Sequence, residues 1–164
     1  MQPRVPMASR PSAEPTGLVP QPTARPDLNG CPWHDVKNML RDVGLRPTRQ
    51  RMALGWILFA KGDRHLTAEM LYEEATKAKV PVSLATVYNT LHQFTEAGLL
   101  RQVIVDAARS YFDTNTGDHQ HFFVENEGRL IDIPGEHIAV SGVPMPPPGT
   151  QVDRVDVVVR VRKV

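Results

Sequence analysis

The chain has 164 residues, of which 41% are hydrophobic and 23% charged, ordinary globular values that exclude collagen-like, mucin-like and wholly disordered chains. One cysteine, Cys31, excludes an internal disulfide framework and a cysteine-rich zinc site. The net charge is +1, and no stretch approaches the roughly 20 apolar residues that a membrane span needs. The first 30 residues lack the apolar core of a secretory signal, so we expect a cytoplasmic chain with one domain or two small ones.

Residues 1–30 are rich in Pro, Ser, Thr and Ala and show almost no hydrophobic periodicity. That composition predicts a disordered arm, because it offers too little apolar surface to offset the entropy of ordering the chain. Four more of the fifteen prolines lie between Pro144 and Pro148. A stiff link therefore interrupts the foldable part of the chain once.

The next segment shows the spacing of apolar side chains that predicts α-helices. A first helix is expected from His34 to a stop at Gly44, and a second from Pro47 to about Ala60. A third is expected after Thr67, whose hydroxyl suits an N-cap. Its expected buried face is Met70, Leu71, Ala75 and Ala78.

A fourth helix is expected to begin after Ser83 and to end at Gly98. Its buried stripe would be Val87, Leu91 and Phe94. The opposite face is short, polar and nearly uncharged, whereas a merely solvated helix surface usually carries Lys and Glu. Such a face suits base edges in a major groove. It consists of Ala85, Tyr88, Asn89 and His92.

Two strand-like runs follow, Leu100–Val105 and Ser110–Thr114, joined by a turn at Asp106–Arg109. Three helices and a hairpin, with a last helix that is polar on one face, predict a winged helix-turn-helix that places this helix in the groove of double-stranded DNA. A small helical bundle that binds protein is the alternative.

Three arginines, Arg46, Arg49 and Arg51, lie within six residues with no acidic residue among them. Such a cluster can neutralise DNA phosphates even in a nearly neutral chain. A solvated helix start is the alternative. Residues 34–98 carry nine basic and seven acidic side chains, whereas residues 99–164 carry seven basic and nine acidic ones. The predicted DNA-binding part, which we call the reader, is therefore the more basic of the two.

The second half has β character. Strands are expected at His119–Val124 and Arg129–Ile133, a helical turn at Glu136–Ser141, and a strand in the alternating run Val155–Val161. About 50 residues fold poorly alone, so we expect this part to pair with a second copy in a homodimer. The predicted fold is α+β: a disordered arm over 1–30, a winged helix-turn-helix domain over 31–114, and a small α/β dimerisation domain over 115–164.

His119 and His121 flank Gln120 and share one face of a strand, roughly 7 Å apart along it. Two such imidazoles can converge on one metal ion or one haem face, and Asp113 and Asp132 at neighbouring strand ends could add oxygen ligands. This mixed donor set suits Fe(II), Mn(II) or Zn(II). Two ordinary surface histidines are one alternative. A small metal-dependent hydrolase that activates water is another, although no nucleophile motif or phosphate loop accompanies it.

Cys31 precedes Pro32 where the arm meets the folded part. A Cys-Pro thiolate can be an axial ligand of ferric haem. A spectator thiol is the alternative. His65, just before the third helix, could reach the domain interface.

Three motifs occur in order: GLRPTRQR at Gly44–Arg51, HLTAEMLY at His65–Tyr72, and SLATVYNTL at Ser83–Leu91. Together they resemble the ferric uptake regulator family over about residues 34–135. Gly30–Val36 and Thr48–Trp56 are similar to its haem-responsive branch, the iron response regulators. The resemblance implies a dimeric transcription factor, not an enzyme, with a winged-helix reader and a metal-binding dimerisation domain.

Carried over by position, the resemblance places Arg46 near the minor groove or phosphates, and Tyr88 and Asn89 near bases. It implies a regulatory metal site of His65, Asp113, His119, His121 and Asp132. In the haem-responsive branch, Cys31 would be one haem ligand and the His119/His121 segment a second haem site. The residues expected to contact DNA are Arg46, Arg49, Arg51, Ser83, Ala85, Thr86, Tyr88, Asn89 and His92.

Such regulators mainly repress haem-synthesis and iron genes when iron is scarce and lose activity when haem arrives, in some members by degradation and with ferrochelatase as the haem donor. An Fe(II)- or Mn(II)-sensing repressor that does not use haem is the alternative. Two departures stand out. Val124–Glu127 replaces the first Cys-x-x-Cys motif of many members, so no structural zinc is expected, and Gln120 interrupts the branch's histidine run.

Overall fold

The computed structural model describes residues 32–164, without the side chain of Pro32, and four helices occupy the first half of this described part. The predicted arm and Cys31 lie outside the described residues. No helix in the described part is long and apolar enough to cross a bilayer. The helices are α1 Pro32–Asp42, α2 Arg49–Phe59, α3 Ala68–Lys77 and α4 Leu84–Glu96.

The last three helices begin at hydroxyl N-caps, as the sequence predicts for α3 and α4. The side chain of Thr67 accepts from the amide of Met70 at 3.3 Å, and that of Ser83 from the amide of Thr86 at 3.1 Å. α2 begins later than predicted, because Thr48 rather than Pro47 provides its cap.

The buried stripe of α4 is confirmed, since Val87, Leu91 and Phe94 are fully buried. The predicted face of α3 is partly wrong: Met70 is 43% exposed and Ala78 is exposed. Leu71 and Ala75 are buried as predicted, and Ala68 completes the buried stripe in place of Met70 and Ala78.

The first sheet has the order β1-β3-β2, with β1 His65–Leu66, β2 Arg101–Asp106 and β3 Arg109–Asp113. The predicted hairpin is confirmed with each strand shifted by one residue. The turn is tighter than predicted because the Asp106 carboxylate accepts from the amide of Ala108 at 3.0 Å. β1 was not predicted; it pairs antiparallel with β3 and places His65 opposite Asp113.

The second sheet has the order β5-β4-β6, with β4 His119–Val124, β5 Arg129–Pro134 and β6 Val158–Val161. β5 runs antiparallel to β4 and places Asp132 opposite His121, whereas β6 runs parallel to β4. The helical turn predicted at Glu136–Ser141 is a shorter 3₁₀ turn at Gly135–His137.

β6 is shorter than the alternating valine run predicts. The residues just before β6 are held by side chains. The side-chain oxygen of Gln120 accepts from the amide of Val157 at 2.6 Å, and Arg101 binds the carboxylate of Asp156. Gln120 therefore faces away from His119 and His121 and orders the segment that leads into β6.

Two apolar cores hold these elements. The first lies among the helices and includes Phe112 of β3. The second core joins the β2–β3 hairpin to the second sheet. There the ring of Tyr111 packs against that of Phe123, with centroids 6.2 Å apart, and the Tyr111 hydroxyl donates to the carbonyl of Gly128 at 2.6 Å. The members of the second core are Val103, Val105, Tyr111, Phe123 and Leu130, with Val158 against them.

Gly55 allows a close approach of α1 to α2. A Cβ added at this position would lie 2.8 Å from Cγ1 of Val36, nearer than Cβ atoms come to their neighbours. The absence of a side chain at Gly55 therefore sets the distance between the two helices.

Candidate metal centre and nucleic-acid interface

Five side chains converge where the two sheets meet. One ligand atom from each of His65, Asp113, His119, His121 and Asp132 lies within 4.8 Å of all the others. β1 and β3 supply the first two, and β4 and β5 supply the other three. The structure thus brings together every residue that the sequence assigned to the metal site.

The distances within the cluster are those of ligands that surround a common point. Nε2 of His119 lies 2.7 Å from Oδ2 of Asp113, and Nε2 of His121 lies 3.1 Å from the same oxygen. The two Nε2 atoms are only 3.0 Å apart. The two nitrogens and the carboxylate oxygen could instead coordinate one divalent ion, which would take the place of the Nε2 protons.

The hydrogen-bond surroundings of two histidines fit a metal site. Nδ1 of His119 lies 2.9 Å from the carbonyl of Gly117, so donation at that nitrogen leaves Nε2 free to coordinate. Nε2 of His65 is buried and has no hydrogen-bond partner of acceptable geometry, although Oδ1 of Asp132 is 2.8 Å away. An orphaned buried nitrogen of this kind fits a metal ligand.

Burial alone would raise the pKa of the Asp113 carboxyl, but hydrogen bonds from His119 and His121, together with the electrostatic effect of nearby His65, hold that pKa well below its usual range. The hydrogen bond to Asp113 in turn raises the pKa of His119, against the opposing effect of burial. Asp113 is therefore ionised, as a metal ligand must be. Three imidazole nitrogens and two carboxylate oxygens suit Fe(II), Mn(II) or Zn(II).

The side chains of His119 and His121 are only 5% and 1% exposed. A porphyrin could reach them only if the cluster opened. The structure therefore places these two histidines in a buried cluster at the position that sequence reasoning also assigned to haem.

Residues outside the cluster hold its ligands in place. Arg101, whose side chain is 2% exposed, donates from Nη1 to the carbonyl of His119 at 2.8 Å and also binds Asp156. Thr114 accepts from the amide of Arg64 at 2.9 Å, and its own amide donates to the carbonyl of Arg64 at 3.1 Å. These bonds tie the neighbours of His65 and Asp113 together.

Sequence reasoning missed Arg101. Its signal is the alternation of β2, in which Arg101, Val103 and Val105 share the buried face. A charged side chain at a buried position of a strand needs a hydrogen-bond or ion-pair partner inside the protein, so this pattern predicts one for Arg101.

The candidate reading face of α4 is exposed along its whole length, at Ala85, Tyr88, Asn89 and His92. Ser83 and Thr86 lie at its start, where their hydroxyls are 2.9 Å apart. The Tyr88 hydroxyl donates to Glu69 of α3 at 2.5 Å.

The structure separates the three arginines of the basic cluster. Arg46 and Arg49 are exposed. Arg51 is half-buried: its Nε and Nη2 donate to the side-chain oxygen of Gln93 at 3.1 and 2.9 Å, and its Nη1 donates to the carbonyl of Arg46 at 2.9 Å. Arg51 therefore connects α2 with α4, and sequence reasoning did not anticipate that contact.

Comparisons with known proteins agree with this arrangement. The profile of the Ferric uptake regulator family matches residues 42–142. The peroxide operon regulator of Bacillus subtilis is 39% identical over 104 residues, which are 61% of this chain and 70% of that protein. The ferric uptake regulation protein of Bordetella parapertussis is 37% identical over 96 residues, 57% of this chain and 68% of that protein.

Among solved structures, the ferric uptake regulator from Pseudomonas aeruginosa with manganese has a TM-score of 0.60 and 28% identity, over 78% of this chain and 97% of that one. The Vibrio cholerae ferric uptake regulator has a TM-score of 0.61 at 21% identity, over 77% and 98% of the two chains, and shows the likeness of fold.

Proposed function

The chain belongs to the ferric uptake regulator family, and from this membership we propose that Fe(II) or Mn(II) at the five-residue site controls its binding to operator DNA. Members of the family are metal-responsive transcriptional regulators, not enzymes, and they bind operator DNA as dimers. The fold is the family's α+β arrangement of a winged-helix DNA-binding domain and a dimerisation domain. A hydrolase at the same histidines is therefore set aside.

One observation carries the proposal: the ligands come from both sheets. His65 and Asp113 belong to the sheet that extends the helical half, and His119, His121 and Asp132 belong to the second sheet. When bound, a divalent ion supplies directed bonds and positive charge that offset the two carboxylates. These side chains would then fix one sheet against the other.

We place the boundary between reader and dimerisation domain at residues 114/115, as the sequence predicts. Between Asp113 and His119 the chain has no helix or strand. Without the cross-links between ligands, this segment is the natural hinge, and the spacing of the two readers in a dimer would be less well defined. Operator affinity would fall accordingly.

We also propose that α4 reads bases while exposed arginines contact phosphates. Support comes from the exposure of the polar face of α4 and from the exposure of Arg46 and Arg49. Such a division follows the general pattern in which phosphate contacts position a protein and base contacts specify sequence. The protein would act in the cytoplasm, where its operators lie.

The finer proposal is that haem also regulates the protein, through Cys31. Its support is the Cys-Pro motif together with an open cavity of about 570 Å³ close to it in the chain. Trp33, Val80 and Pro81 give this cavity apolar walls, and Arg49 and Lys79 offer positive charges that suit the propionates of a porphyrin. Haem bound there would compete with the phosphate contact proposed for Arg49. Haem-synthesis and iron genes as targets, and ferrochelatase as a haem donor, belong to this proposal.

Operator binding measured with Mn(II), with haem and with neither effector tests both proposals. We expect Mn(II) to strengthen binding by wild type and by Cys31→Ala, but not by His65→Ala. We expect haem to weaken binding by wild type and His65→Ala, but not by Cys31→Ala. If Mn(II) acts and haem does not, the alternative Fe(II)- or Mn(II)-sensing repressor without haem is correct.

A further inference from the structure

We propose that Glu69 fixes the hydrogen-bond polarity of the Tyr88 hydroxyl, so that Tyr88 recognises an amino group of adenine or cytosine. Glu69 would then be a specificity-determining residue that never touches a base. This inference rests on the proposed role of α4 as the reading helix.

The two residues belong to different helices. Tyr88 is on the exposed face of α4, and Glu69 is in the first turn of α3. The phenol oxygen of Tyr88 lies 2.5 Å from Oε1 of Glu69, and both side chains reach the surface. The contact therefore occurs beside the face that would meet DNA.

A second contact holds the ring of Tyr88. His92, one turn further along α4, stacks against it with ring centroids 6.5 Å apart and planes inclined by 22°. His92 itself packs edge-on against Phe112 of the core, at 5.8 Å between ring centroids. The ring and the hydroxyl of Tyr88 are thus both positioned before any DNA arrives.

The same hydrogen bond lowers the pKa of Glu69 and raises that of Tyr88. Glu69 is therefore a carboxylate that can only accept, and the phenol keeps its proton and donates it. A phenol has a single proton, so the hydroxyl can offer a base only its oxygen lone pairs.

The major groove presents donors and acceptors in a fixed code. Adenine N6 and cytosine N4 are amino donors, whereas guanine O6 and N7 and thymine O4 are acceptors. Because the Tyr88 hydroxyl donates its proton to Glu69, its oxygen can accept a hydrogen bond from an amino group of a base. Against an acceptor atom of a base, the lone pairs of the two atoms would repel each other. Without Glu69, the hydroxyl could rotate and donate to an acceptor equally well.

A carboxylate near DNA carries a cost, because it repels phosphates whatever the sequence. Glu69 would therefore weaken binding to all DNA while improving the ratio between correct and incorrect sites. Its removal should change these two quantities in opposite directions, which a purely structural role would not do.

The test measures binding of the full-length, Mn(II)-loaded protein to an operator fragment and to its single base-pair substitutions. We expect Glu69→Ala to strengthen binding to non-operator DNA and to reduce discrimination at one base pair by about 5-fold, the lower end of what a good bidentate base contact contributes. Tyr88→Phe should lose discrimination at the same base pair, and the double variant should lose no more than either single one.

Two further variants separate charge from hydrogen bonding. Glu73→Ala removes a carboxylate from the same helix, where Glu73 is exposed, and should strengthen non-operator binding without changing discrimination. Glu69→Gln removes the charge but offers the phenol both an acceptor and a donor, so its discrimination should lie between those of wild type and Glu69→Ala. Equal discrimination in Glu69→Ala and Glu73→Ala would overturn the inference. If Tyr88→Phe and Asn89→Ala both leave operator binding unchanged, it is instead the proposed reading role of α4 that fails.

Discussion

Nε2 of His65, on the first sheet, lies 2.8 Å from Oδ1 of Asp132, on the second sheet. This pair spans the junction of the two sheets, and each residue is a candidate ligand of the same ion. The junction is therefore where loss of one side chain should uncouple metal binding from DNA binding.

His65→Ala should reduce Mn(II) affinity by at least about 10- to 100-fold, a loss already seen when groups that only support a ligand are changed. It should also abolish the Mn(II) dependence of operator binding. Isothermal titration with Mn(II) and a gel-shift assay measure the two effects. His137→Ala is the control, since His137 lies outside the cluster and its side chain is 64% exposed. Unchanged Mn(II) affinity in His65→Ala would disprove the five-residue site.

Arg49 and Arg51 should respond differently to removal of their charge. Arg49→Ala should make the negative slope of log affinity against log salt shallower by about 0.9, the share of one phosphate contact. Arg51→Ala should instead lower the free energy of unfolding by about 1–2 kcal/mol, since it breaks the bonds to Gln93 and to the carbonyl of Arg46. Salt titrations of operator binding and urea unfolding distinguish the two; a reversed result would contradict the internal role of Arg51.

Arg101→Met should lower the free energy of unfolding by about 1–3 kcal/mol, the value of hydrogen bonds made by a charged group. The loss stays in this range because Asp156 is 46% exposed and retains Arg154 at 3.0 Å, so no buried charge is left alone. Urea unfolding measures it. Arg154→Ala, which removes a 43% exposed partner, should change stability little. Equal losses in the two variants would argue against a special role for the buried arginine.

Glu74→Gln should lower the free energy of unfolding at neutral pH but not in acid. The hydrogen bonds of Arg64 hold the pKa of Glu74 below its ordinary value of about 4.3. A lowered folded-state pKa contributes stability above the ordinary value and loses it as the pH falls through the lowered one. We expect a difference of about 1–2 kcal/mol from wild type at pH 7 that shrinks below about pH 4. Urea unfolding across that range tests this, with exposed Glu73→Gln as the control that should show no difference.

Gly55→Ala should destabilise the protein by about 1–3 kcal/mol through overpacking, although alanine is normally about 1 kcal/mol better than glycine inside a helix. The cause is Val36, whose Cγ1 would lie 2.8 Å from the new Cβ. The double variant Val36→Ala/Gly55→Ala should be more stable than the sum of the single effects. Additive effects in thermal unfolding would show that Val36 is not the obstacle.

Features decided by short-range pattern could be predicted from the sequence. The N-caps Thr67 and Ser83 need only a hydroxyl before an apolar run, and β4 was predicted with its observed limits. The alternation of a strand placed His119 and His121 on one face. The convergence of His65 with them followed only from the resemblance, since nothing local to His65 indicates a metal.

Contacts between distant parts of the chain could not be predicted in this way. Arg51 meets Gln93 across 42 residues, and Arg101 meets Asp156 across 55. β1 has only two residues and exists because β3 offers it a partner. In each case the side chain or strand is defined by a neighbour that the local sequence does not contain.

The ligands of the metal centre include two cross-strand pairs. His65 faces Asp113 within the first sheet, and His121 faces Asp132 within the second. Strand pairing constrains the geometry inside each pair, whereas no strand pairing joins the two sheets in the described part of the chain. We therefore expect an ion bound by both pairs to hold the sheets together, and ions of different radius to set different separations between them.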